Sequence, residues 1–177
     1  MKKWLRRASM VAAFSMALGG GTVASQMSPS PAEASLSAFN CVISVAHPHA
    51  SHHVSGTINV EGRVDCGQRM ESIYIRLYLH KQGGGDWAGT PNSMNNASYL
   101  KANAATSCSA GSGQYWGEAR VTAVPPAGWS PRSASGSANG FVLPLACGDP
   151  LTSGDDPDGV GSNVVLGTIR FEPSEVE

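Results

Sequence analysis

The residues best suited to chemistry lie between Cys41 and Cys66, in CVISVAHPHASHHVSGTINVEGRVDC, which holds four of the five histidines in the chain. His47 and His49 are two apart, so on an extended chain they point the same way. Pro48 keeps the segment out of a helix. His52 and His53 follow from the next turn. Imidazole suits zinc or copper, and three histidines make a site. Because imidazole titrates near neutral pH, a pH-sensitive loop is a further option. The loop has no carboxylate partner nearby in sequence, and the same residues also occur as plain polar surface. The expectation is either no cofactor, or zinc or copper held by His47, His49, His52 and His53.

A second group lies on MESIYIRLYLH, residues 70–80, where Tyr74, Arg76 and Tyr78 share one face. Aromatic rings beside a charged group on an exposed sheet bind sugars or protein edges, and also occur as cross-strand packing pairs. Trp87 is either a third binding aromatic or a cap over the core, and the cap is favoured. Asp155, Asp156, Asp158 and Gly159 resemble a calcium loop only faintly, because the EF-hand spacing and its final glutamate are missing. The segment is read as solvated linker. GxSxG, HExxH, P-loop and GxGxxG motifs are all absent. No catalytic residue is assigned; a non-catalytic role is favoured, and the question of an enzyme is left open.

The rest of the chain must position these groups. Residues 1–34 read as a secretory signal: a basic MKKWLRR, a short apolar run, then small residues with a cleavage site after Ala34. The apolar run is shorter than the ~20 residues that a spanning helix needs. Cleavage would remove Lys2, Lys3, Arg6, Arg7 and Glu33, leaving eight basic and twelve acidic residues and a formal net charge of −4. That balance argues against nucleic acid and anionic membrane as partners. Four cysteines in a secreted chain imply two disulfides.

Side chains alternating at period two predict an all-β fold. Predicted strands cover 41–46, 56–66, 70–80, 98–108, 115–124 and 140–147. Cys41, Cys66, Cys108 and Cys147 each fall on the apolar side of their strand, so all four sulfurs are expected in the core. The sequential pairing, Cys41–Cys66 and Cys108–Cys147, is favoured. Residues 82–97 and 125–139 read as loops. Residues 35–147 form the expected stapled domain. Residues 148–177 form an acidic loop and a C-terminal extension, in which NVVLGTIRFEP either adds a strand or packs loosely.

The run HPHASHHVSGTINVEGRVDC, then IYIRLYL, YLKANAATSC and GQYWGEARVTAVPPAG, resembles a family of small secreted proteins of actinobacteria such as streptomycetes. The resemblance covers about residues 39–147 and implies secretion and a β fold. It implies no catalytic residues.

The expected architecture is an antiparallel β-sandwich of about seven strands and immunoglobulin-like size, stapled by two disulfides, with a small β-barrel as the alternative. The expected function is a secreted, non-catalytic binding or interaction module for an extracellular protein or glycan. The competing expectations are a His-loop metal-binding protein or metal-dependent enzyme, and an extracellular protease inhibitor.

Overall fold

Alternation at period two builds ten strands: β1 (Phe39–Val45), β2 (His49–Ala50), β3 (Thr57–Lys81), β4 (Asp86–Ala88), β5 (Asn92–Ser107), β6 (Gly113–Val124), β7 (Trp129–Ser130), β8 (Ala134–Asn139), β9 (Leu143–Leu145) and β10 (Val165–Pro173). The computed structural model describes residues 37–51, 53–147 and 165–175, excluding the side chains of Val165 and Leu166. The expected signal at 1–34, His52, and Asp155, Asp156 and Asp158 lie outside the described residues. Among the described residues the only helical element is a 3-10 turn at Cys108–Ala110.

The spine is β3. Its first half pairs with β1 and its second half with β6, while β5 runs antiparallel along its other edge. The sheet order is β7-β10-β1-β3-β6-β8, with every pairing antiparallel. The sequence predicted two strands where β3 is one. The segment read as a break, residues 67–69, lies in a bulge. Asp65 faces Tyr99 and Met70 faces Ala97, so four residues of β3 oppose Ser98 alone. Extra residues on one strand bend it and sharpen its twist. On the β5 side, Asn96 adopts φ 52°, a left-handed conformation that asparagine tolerates better than most side chains. Its carbonyl accepts a 2.8 Å hydrogen bond from Arg69 Nη1.

The bulge also changes which residues face inward. Ile58, Val60, Val64 and Cys66 are buried before it; Ile73, Ile75, Leu77 and Leu79 are buried after it. The strand therefore lines the core along its whole length, and the sheet curls until its two ends face each other. Gly117 and Gly136 mark the close approach. A Cβ at Gly117 would lie 2.5 Å from Val60 Cγ2 and 2.8 Å from Val45 Cγ1. A Cβ at Gly136 would lie 2.8 Å from Ile169 Cγ1. The fold is thus all-β and antiparallel as expected: among the described residues ten strands, where about seven were expected, form one sheet that curls over itself, between a sandwich and a half-barrel.

Two loops of the sequence reading are largely strand. Residues 82–97 contain β4 and the start of β5, where Asn92–Asn96 are exposed and show no apolar alternation. Residues 125–139 contain β7 and β8. The inward positions of β8 are Ala134, Gly136 and Ala138, kept small by the facing Ile43 and Ile169. Conversely, only Leu143–Leu145 of the predicted strand 140–147 is extended in the sheet, and Phe141 is exposed.

Both disulfides have the expected pairing. Cys41 and Cys66 sit directly opposite each other in the β1–β3 ladder and are buried. The second pair departs from the expectation of four core sulfurs. Cys108 opens the 3-10 turn and is half-buried, and Cys147 is exposed, so this bridge is a surface clasp. Two disulfides with no free cysteine match the chemistry of an oxidising compartment.

Candidate binding face

His47 is half-buried, with its ring 5.7 Å from that of Phe141 at 76°, and its Nε2 is buried without a hydrogen-bond partner among the described residues. His49 Nδ1 lies 3.1 Å from the His47 carbonyl oxygen. His53 is exposed. Among the described residues, no group of three His, Cys, Asp or Glu side chains is arranged to hold a metal. His47 packs the segment after β8 against the segment after β1.

The outward faces of β3 and β6 hold a denser assembly. Register sets Arg76 opposite Arg120, Tyr78 opposite Glu118 and His80 opposite Trp116. The His80 ring stacks on Trp116 at 5.1 Å and on Tyr78 at 6.2 Å, each at 18°. The guanidinium carbons of Arg120 and Arg76 lie 4.5 and 5.4 Å from the Tyr78 ring centre. Glu118 ties the row together. Arg120 donates to it through Nε (2.7 Å) and Nη2 (2.9 Å), the bidentate geometry that makes Arg–carboxylate pairs strong. His80 sits between two carboxylates, with Nδ1 2.6 Å from Asp86 Oδ1 and Nε2 3.3 Å from Glu118 Oε2. Both ring nitrogens thus face a carboxylate, and among the described residues neither contacts a nucleophilic side chain, as a catalytic triad requires.

Of the sequence candidates, Arg76 and Tyr78 are in this row. Tyr74 shares the face but lies further along β3, opposite Thr122. Trp87 is on the other face. It pairs with Leu79, packs against the core and stacks on Tyr115 at 6.3 Å, as the cap reading anticipated. Burial raises the Tyr115 phenol, whose hydroxyl donates to the Gly111 carbonyl. Sequence reasoning missed Trp116, Glu118, Arg120 and Asp86 and left His80 without a role. The signal was present in YWGEARVTAV, where Tyr115, Gly117, Ala119, Val121 and Ala123 turn inward and Trp116, Glu118, Arg120 and Thr122 turn outward.

The hydrogen bond from Arg120, helped by its charge and by His80, holds the Glu118 carboxyl below the usual glutamate range despite partial burial. A carboxylate depressed in the folded state adds stability that is present above its unfolded pKa of ~4.3 and lost as pH falls through the folded value. Glu118→Gln should therefore lower stability at pH 7 by about 1 kcal/mol. The gap between variant and parent should narrow as pH falls from 5 to 3. Urea midpoints measured across that range check both points; a gap independent of pH would remove the charge from the explanation.

A scan against protein-family models and searches of curated proteins and of solved structures return no match.

Proposed function

We propose that this chain is a secreted, non-catalytic binding module that takes its ligand on the outer face of β3, β6 and β8. The observation that carries the reading is the row Trp116–His80–Tyr78, capped by Arg76 and Arg120 and braced by Glu118. The rings and charges on this face brace one another. When fixed by one another they lose little conformational freedom on binding, which favours affinity. Two disulfides and a leader-like N-terminus support export. The occupied nitrogens of His80 favour binding over nucleophilic chemistry.

An array of extracellular proteins and polysaccharides, probed with the labelled protein, tests the reading. Signals should disappear in the Tyr78→Ala/Trp116→Ala double variant and persist in His47→Ala, with circular dichroism confirming that both variants are folded. Signals that survive the double variant would move the ligand to another surface.

A further inference from the structure

The charge on this face is unevenly neutralised. Glu118 engages Arg120, and Asp86 and Glu118 bracket His80. Arg76 has no carboxylate: among the described residues its guanidinium makes one hydrogen bond, from Nε to the Gly89 carbonyl at 3.2 Å, and lies over Tyr78. That bond and the ring orient the guanidinium, and among the described residues its two terminal NH2 groups have no hydrogen-bond partner. Arg120 stands directly opposite across the ladder. Its charge is already met by Glu118, so Arg76 is the arginine of the pair whose charge has no carboxylate beside it among the described residues. The fixed fork of Arg76 matches a carboxylate, which can accept two parallel hydrogen bonds.

The strand beyond supplies a different chemistry. Ser135, Ser137 and Asn139 of β8 stand opposite Thr122, Arg120 and Glu118. They are short, and Thr122 and Ser135 share a 2.9 Å hydrogen bond. A low strip of hydroxyl and amide groups therefore runs beside the taller ridge of Trp116 and Arg120. The centre of a protein interface is usually apolar and depleted of charge; this centre is charged and rich in hydroxyls. A sugar ring offers C–H faces to aromatic rings and hydroxyls to Ser, Asn and Glu side chains.

We infer that the face binds an acidic glycan, with Arg76 anchoring a sugar carboxylate. This rests on the binding-face reading above and deepens it. Calorimetric titration with oligogalacturonate and with its methyl ester, which keeps the sugar and removes the charge, tests it. The acid should bind at least tenfold more tightly than the ester. Arg76→Gln should remove at least tenfold of the affinity for the acid while leaving the ester unchanged; Arg170→Gln, whose arginine pairs with Glu172 on β10, should change neither. A wider panel of glucuronate-containing and sialylated oligosaccharides covers other acidic sugars. Failure of every acidic sugar to bind, equal affinity for acid and ester, or indifference to Arg76→Gln overturns the inference. So does equal binding of citrate or of acidic peptides. If a neutral glycan or a protein binds instead, and Trp116→Ala abolishes that binding, the face reading stands and only the ligand class falls.

Discussion

A chain ending at Cys147 should fail to fold cooperatively. The final strand, β10, is outside the domain as the sequence delimits it, yet it pairs with every residue of β1, from Phe39 opposite Phe171 to Val45 opposite Val165. Removing it would strip one edge of β1, a strand whose Cys41, Ile43 and Val45 are fully buried. It would also remove Ile169 and Phe171 from the core, together with the stacking of Phe171 on Phe39 at 5.2 Å. Burial of a large apolar side chain is worth about 1.5–3 kcal/mol, and Phe→Ala in a core costs about 3–5 kcal/mol. Small domains have only about 5–15 kcal/mol in total. Phe171→Ala alone should therefore yield a folded protein with a much lower urea midpoint, and deletion of residues 165–177 should yield no cooperative transition. A truncated chain that unfolds with the parent's midpoint and slope would show that β10 is an accessory strand.

The strand β10 also shows how far the sequence could be read. Val165–Pro173 carries the alternation of a strand, but nothing in it says that its place is beside the first strand of the chain. Closure by the C-terminus is a long-range pairing, and period two is a local signal. The same limit explains the cysteines. Alternation along β1 and β3 placed Cys41 and Cys66 in the core correctly. It failed for Cys108, because the chain leaves the strand at Ser107 and enters a 3-10 turn. β8 was missed for a different reason. Its core positions are small because another sheet end presses on them, so a strand with one face against the core reads as an Ala/Gly/Ser loop. At the candidate face, Arg76 and Tyr78 could be placed on one side of one strand. Their partners Trp116, Glu118 and Arg120 needed the register of β3 with β6, which no local pattern encodes.

The two disulfides should separate in both accessibility and effect. In the chain-entropy picture, loops closed over 25 and 39 residues are worth about 3.5 and about 4 kcal/mol, too close to rank them. Position decides instead. Cys41 and Cys66 are 0% and 4% exposed and lie where β3 begins its bulge, so they fix the corner about which the sheet curls. Cys147 is exposed, and its bridge ties β9 to the turn after β5. Thiolate attack on a disulfide requires access to sulfur. Under mild reduction in native buffer, two thiols should therefore become available to an alkylating reagent, and peptide mapping should assign them to Cys108 and Cys147; four should appear only in denaturant. Cys108→Ala/Cys147→Ala should retain a cooperative transition shifted by about 2–4 kcal/mol. Cys41→Ala/Cys66→Ala should cost more, because two small cavities in the core add to the lost cross-link. Simultaneous release of all four thiols from the native protein, or a smaller loss from the Cys41/Cys66 variant than from the other, would place the corner of the fold under the control of packing alone.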